Sequence, residues 1–287
     1  MKKDAVLVLS SGESRGLAQI GVINCLIKNG FNIKSVAGSS IGSIIGGFFS
    51  MGKLDDYANW VKQLDKKDVW GLMDFTLKSN GILKGEKVFD TLKQIIPDRN
   101  IEDLPIKFAA VATDIIEEKE IVFTTGSIYN AFRASVAIPA VFTPVTDNDT
   151  FLVDGGVLNP IPAEYVTQDK NDLLIIVNLY GKSKQHLSKK EISNDTKELH
   201  KIKLSINKFL NTGNKKSIGY YNLLSRTSSA MIHKIAELKI KQFNPDILIE
   251  IPHDSAKTFD FFKANGLIKM GEEIAQETID LYFKKNN

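Results

Sequence analysis

The 287-residue sequence is poor in cysteine, in histidine and in long apolar runs, and each shortage narrows what the chain does. The lone Cys25 excludes an internal disulfide framework and any multi-cysteine metal site, and it suits a reducing compartment, so the expected location is the cytoplasm. The longest weakly polar stretch, Ile41 to Met51, is short and broken by Gly42, Ser43, Gly46 and Gly47, which is too little for a transmembrane helix. At the start, Met1-Lys2-Lys3-Asp4 precedes an apolar run of only five residues, Ala5 to Leu9, and no small-residue cleavage site follows, which argues against a signal peptide. Membrane contact is therefore expected to be peripheral, on the inner surface. His186, His200, His233 and His253 are the full set of histidines, and all lie late in the chain.

Charge of one sign is also missing at first sight. The 37 basic and 34 acidic side chains leave only +3, but the average hides a division. Residues 182–241 hold 14 Lys or Arg against four acids, a local charge of +10, so the remainder carries −7. With 43% hydrophobic and 25% charged residues the composition is that of a globular protein, not a disordered one. No repeat and no Pro- or Ser-rich linker divides the sequence. One α/β domain over residues 1–287 is expected, with a basic, partly helical excursion at about 182–241.

Strand-like and helical patterns alternate. Ala5 to Ser10 is an aliphatic run of the kind buried in a parallel sheet, and a Gly/Ser-rich turn then opens a helix over Leu17 to Lys28, stopped by Gly30. Ile33 to Ala37 reads as a second strand and Ile41 to Phe49 as a small-residue helix, giving two strand–turn–helix units in succession. Further strands are expected at 106–113, 120–125, 173–178 and 247–251, and helices at 53–64, 84–95, 129–135, 218–243 and 267–283. The 218–243 helix has a broad apolar face, with Leu224, Met231, Ile235 and Leu238, that suits a core or an oligomer contact.

Three segments carry chemistry. Gly38-Ser39-Ser40-Ile41-Gly42 fits G-x-S-x-G at a strand-to-helix junction, where the motif forms a nucleophile elbow: glycines make room for the turn, and the Ser40 hydroxyl sits over the N-terminus of a helix. Ser11-Gly12-Glu13-Ser14-Arg15-Gly16 follows the first strand, and a turn there exposes consecutive N–H groups suited to an oxyanion. It lacks the Gly-Lys-Ser/Thr of a phosphate-binding loop and the three-glycine dinucleotide spacing. Asp154-Gly155-Gly156 sits between the apolar run Phe151-Leu152-Val153 and Asn159-Pro160; taken alone it is a turn signal.

In order and spacing these three segments resemble the patatin-like phospholipase family, and Ala131-Phe132-Arg133-Ala134-Ser135-Val136-Ala137-Ile138-Pro139-Ala140 is similar to the stretch that precedes the aspartate in that family. The resemblance covers about residues 5–180. It implies a three-layer α/β/α fold with a mostly parallel central sheet, and a Ser-Asp dyad without a catalytic histidine. Ser40 is then the nucleophile and Asp154 its base. N–H groups of the Gly12, Glu13, Ser14, Arg15 and Gly16 loop would hold the oxyanion, Gly38 and Gly42 shape the elbow, and Gly155 and Gly156 shape the dyad loop. The implied activity is cleavage of carboxylic esters of phospholipids or lysophospholipids through an acyl-enzyme, with no cofactor and no metal.

The sequence departs from the family at Ser11 and Glu13, which stand where the family has glycines. Glu13 is expected to turn outward, because a buried unpaired carboxylate is costly. Two rival readings follow. A Glu13 that turned inward would leave a catalytically weak lipid-binding or regulatory protein with the same fold. The order Ser40, Asp154, His253 also suits a Ser-Asp-His esterase. Within the basic stretch, Leu199, Ile202, Ile206, Phe209 and Leu210 recur at helical spacing among lysines, so 186–212 is a candidate contact with an anionic membrane. Nucleic acid is not an expected partner, because the lysines lack interleaved aromatics. An oligomer is compatible with the sequence.

Overall fold

The computed structural model describes residues 3–76, 81–147, 150–183 and 220–286. Its strands are β1 (Lys3–Leu9), β2 (Phe31–Ser39), β3 (Lys107–Asp114), β4 (Lys119–Phe123), β5 (Val145–Asp147), β6 (Thr150–Asp154), β7 (Leu173–Gly181) and β8 (Ile247–Pro252). The helices are α1 (Leu17–Lys28), α2 (Ile41–Ser50), α3 (Leu54–Gln63), α4 (Lys66–Gly71), α5 (Glu86–Ile95), α6 (Ile128–Ser135), α7 (Tyr220–Phe243) and α8 (Ala264–Asn286). Hydrogen-bonded neighbours run β5-β6-β3-β2-β1-β7-β8, and β4 also pairs with β3. The run β3-β2-β1-β7-β8 is parallel, while β4, β5 and β6 are antiparallel, so the sheet is mixed at one end and parallel through its centre.

The alternation of β1 sets the layers. Ala5, Leu7 and Leu9 belong to a core shared with α1, α2, α3, α5, α6 and α8, whereas Val6 and Val8 join Ile176, Ile161 and Ala236 of α7 on the opposite face. This is the expected α/β/α sandwich, patatin-like in its layering.

The register of β3 positions the site. Each strand residue has two hydrogen-bonding edges. Ala110 pairs with Phe123 of β4 and with Gly38 of β2, while Asp114 pairs with Lys119 of β4 and with Leu152 of β6. Since β4 occupies one edge throughout, β2 and β6 share the other. They abut end to end: β2 finishes with Ser39 opposite Val111, and β6 finishes with Asp154 opposite Ala112.

Strands β5 and β6 and helix α4 were not expected from the sequence. Helix α4 starts at an Asp65–Asp68 capping box, each carboxylate accepting the other residue's N–H at 2.8–2.9 Å, inside a charged run with no apolar periodicity to announce it. Asp154 is not the corner of a hairpin; the hairpin lies upstream, between β5 and β6, and Asp154 ends β6 to open a 3-10 turn, Gly155–Val157. The α7 face divides: Ala236 is buried, but Leu224, Met231 and Leu238 are about half exposed. Residues 186–212 lie outside the described residues.

Candidate active site

Ser40 leaves β2 at the start of α2 with φ 54° and ψ −126°, a conformation that disfavours any side chain and that strand-to-helix elbows impose on the nucleophile. The glycines around it permit close approach. A Cβ on Gly38 would strike the backbone of Gly42, and one on Gly42 would strike the carbonyl of Leu9, so only glycines let the start of α2 lie against the end of β1. The Ser40 N–H donates to Ser135 Oγ at 2.9 Å, and that hydroxyl donates to the Val111 carbonyl at 2.6 Å. Ser135, on the last turn of α6, thus clamps the elbow to β3 where β2 and β6 meet. Nothing in the spacing of the 131–140 segment marks Ser135 for this part.

From the other side of the junction, Asp154 arrives on β6, its N–H bonded to the Ala137 carbonyl at 3.0 Å. Gly155 lets the turn settle onto the Val111 carbonyl and Ser39, both of which a Cβ would meet. The Gly156 N–H donates to Asp154 Oδ1 at 2.7 Å, and Ser40 Oγ donates to Asp154 Oδ2. Both partners are buried. Burial pushes the Asp154 carboxyl up to about 7; the Ser40 and Gly156 hydrogen bonds pull it down, and the nearby charge of Glu13 pushes it further up.

The loop after β1 forms a 3-10 turn, Glu13–Gly16. As at any helix start, its first N–H groups have no acceptor within the turn. Gly12 packs against Leu179, Gly16 against Ile41 at the start of α2, and the Ser11 N–H is tied to the Pro160 carbonyl at 3.0 Å. The Ser14 hydroxyl donates to the Lys257 carbonyl at 2.6 Å, and Arg15 Nη1 donates to the His253 carbonyl at 2.6 Å. Ser11 Oγ and the partly buried Tyr180 hydroxyl share a 2.5 Å hydrogen bond, a second tie that the sequence did not announce.

Glu13 does not turn outward. It is half-buried, lies at φ 57°, and borders the cavity that contains Ser40. Its left-handed backbone is one that a glycine would adopt freely. His253 hydrogen-bonds neither Ser40 nor Asp154; its Nδ1 is 3.0 Å from the Gly181 carbonyl and its ring stands 5.7 Å from that of His233.

The cavity has a volume of about 140 Å³. It extends from Ser40 between Ile41 and Ile44 of α2, Tyr57 and Trp60 of α3, Val69 of α4 and Val88, Phe89 and Leu92 of α5. These walls are almost wholly apolar, so the arrangement is a hydroxyl paired to a perturbed carboxylate beside a space that favours an aliphatic chain. No helix among the described residues is long and apolar enough to cross a membrane.

Known proteins are similar to this chain in sequence and in structure. An uncharacterized NTE family protein of Mycobacterium tuberculosis (strain ATCC 25618 / H37Rv) is 27% identical over 328 aligned positions, spanning 96% of this chain and 91% of its own length. A lysophospholipase of Kluyveromyces lactis is 29% identical over 171 positions, 56% of this chain and 12% of that protein. Among solved structures, VipD from Legionella pneumophila covers 97% of this chain with 67% of its own, at 13% identity and a TM-score of 0.48. Residues 7–167, more than half of the chain and inclusive of Ser40 and Asp154, match the family described as patatin-like phospholipase. The chain belongs to the patatin-like phospholipase family, a family of lipid hydrolases.

Proposed function

We propose that the protein is a serine acyl hydrolase of phospholipase A or lysophospholipase type, working through a Ser40–Asp154 dyad. The observation that carries this reading is the direct hydrogen bond from Ser40 Oγ to Asp154 Oδ2 at the edge of an apolar cavity. Ser40 Oγ attacks the acyl carbonyl while Asp154 takes its proton, and N–H groups of Gly12 to Ser14 hold the oxygen that becomes negative. Collapse of the tetrahedral species returns the proton to the leaving alcohol and leaves an acyl-enzyme. Water, deprotonated by the same carboxylate, then releases the fatty acid. An ordinary carboxylate, with a pKa of about 4, is a weak base for this step. The buried Asp154, raised to about 7, is a better one at neutral pH.

Arg15 acts as an anchor, tying the loop after β1 to the end of β8 through the His253 carbonyl. The substrate is a lipid ester at a membrane surface, and the basic stretch 186–212, outside the described residues, is the contact proposed for anionic head groups. The second reading, a lipid-binding protein with little turnover, draws on Glu13, whose position beside Ser40 brings negative charge to where the oxyanion would form. A fluorophosphonate probe and a lysophospholipid turnover assay separate the two. The hydrolase reading expects labelling and fatty acid release in the wild type, with both lost in Ser40→Ala and turnover lost in Asp154→Asn. A folded wild type that neither labels nor turns over leaves the binder.

A further inference from the structure

One charged group on the cavity wall has no part in the Ser40–Asp154 chemistry. Arg133 stands on α6 two residues before Ser135 and borders the same cavity as Ser40. Its Nη2 donates to the Thr143 carbonyl at 2.8 Å and to Thr143 Oγ1 at 3.0 Å, while Nη1 is buried and reaches no acceptor. Asp74 and Glu86 act on the guanidinium through space only, and both Asp74 oxygens are already occupied by the N–H groups of Gly85, Glu86 and Lys87. Burial works against the Arg133 charge, and the Glu86 and Asp74 carboxylates offset that cost only through space, without a hydrogen bond to the guanidinium.

A partly buried cation with one arm bonded and the other without a hydrogen-bond partner is arranged to receive an anionic oxygen. A carboxylate from the protein would already have closed the fork; a ligand supplies it only when bound. The guanidinium arm suits phosphate oxygens in charge and geometry. We infer that Arg133 Nη1 binds a phosphate oxygen of the substrate head group, so that the cavity selects acyl esters bearing a phosphate near the ester over neutral glycerides. The inference rests on the reading of this cavity as a lipid ester site, but it makes a claim about binding that turnover does not enter.

The test uses the full chain carrying Ser40→Ala, to stop turnover, and Trp70→Phe, which leaves Trp60 in the cavity wall as the one tryptophan reporter. Lysophosphatidic acid and a monoacylglycerol of the same acyl chain are titrated below their micellar concentrations. Addition of Arg133→Gln should weaken lysophosphatidic acid at least about tenfold, as expected for a lost charge-assisted hydrogen bond, and leave monoacylglycerol within about twofold. Arg133→Lys, which keeps the charge and loses the fork, guards against a misfolded glutamine variant and should show the same selective loss, several-fold in size. Equal loss on both ligands would show a merely structural arginine, and no loss on either would also overturn the inference. Inorganic phosphate binding as tightly as the lysolipid would reassign the site from a lipid head group to free phosphate. A protein that hydrolyses no ester yet keeps the Arg133-dependent preference would retain this inference and sink the hydrolase reading.

Discussion

At the scale of single residues, Asp154 holds the most consequential free energy in the molecule. In the proposed mechanism its carboxyl must be ionised to accept the Ser40 proton, and burial lifts its pKa to about 7. The rate constant kcat/KM for a neutral ester should therefore rise with pH through about 7 and level off above it. The same lift has a stability consequence. The folded value exceeds the unfolded one, so the stability this group contributes is fully present below about pH 4 and is lost as pH rises through about 7. Asp154→Asn cannot ionise and should escape that loss. Its unfolding free energy from urea titration should exceed the wild type's at pH 8, by on the order of 4 kcal/mol, with little difference at pH 4, while turnover disappears. A lower midpoint at pH 8 would show that the buried carboxylate is not penalised. Glu13 yields a paired expectation. Removing its charge takes away one of the causes that raise Asp154, so the acidic limb of the pH profile should move down in both Glu13→Ala and Glu13→Gly. Only the glycine variant also relieves the φ of 57°, worth about 1 kcal/mol of added stability. The turns that present Ser40 and Asp154 were legible in the sequence because glycine spacing records them, whereas the pairing of the two was an implication of the family resemblance. The left-handed backbone of Glu13 was not legible, because a glutamate does not announce it as a glycine would.

At the scale of elements, β1, β2 and their helices were readable almost residue by residue, since aliphatic runs bounded by glycines admit few alternatives. The meeting of β2 and β6 along one edge of β3 was not, because it depends on which strand β4 chooses to pair. Nor was the cavity. Tyr57, Trp60, Phe89 and Leu92 repeat at helical spacing and read as ordinary core, and only the facing residues decide whether a core face closes. The walls from α3, α4 and α5 make a specific forecast if an acyl chain occupies the space between them. Val88→Phe places a ring where α5 borders the cavity and should lower kcat/KM for a palmitoyl ester several-fold while leaving a butyryl ester near the wild-type value. Measuring both p-nitrophenyl esters decides it. An equal fall for the two chain lengths would mean that the acyl group lies elsewhere.

At the scale of the whole molecule, the part matched to the family, residues 7–167, leaves out two strands of the sheet and the last helix. Strand β7 lies between β1 and β8 in the sheet, and α8 returns from the C-terminal end to pack along α1. That return is intimate: a Cβ on Gly21 would strike the Ile268 carbonyl, and one on Gly271 would strike the Ala18 carbonyl, so the two helices touch backbone to backbone. Lys3 Nζ lies 3.8 Å from the centre of the Phe283 ring, and Phe31 stacks on Phe283, fastening the first strands to the last helix. Removing residues 168–287 would open one full edge of β1 and the α1 face, both otherwise buried, so the fragment should bind a hydrophobic dye and lack near-ultraviolet circular dichroism. Gly271→Val in the full chain asks the same question more gently. Its side chain forces α1 and α8 apart without touching Ser40 or Asp154, so the urea midpoint should fall, by the equivalent of about 2–3 kcal/mol in unfolding free energy, while kcat of the folded fraction stays near wild type. An unchanged midpoint would mean that α8 is an accessory to the fold, and a cooperative transition in the 1–167 fragment would divide the chain into separate domains.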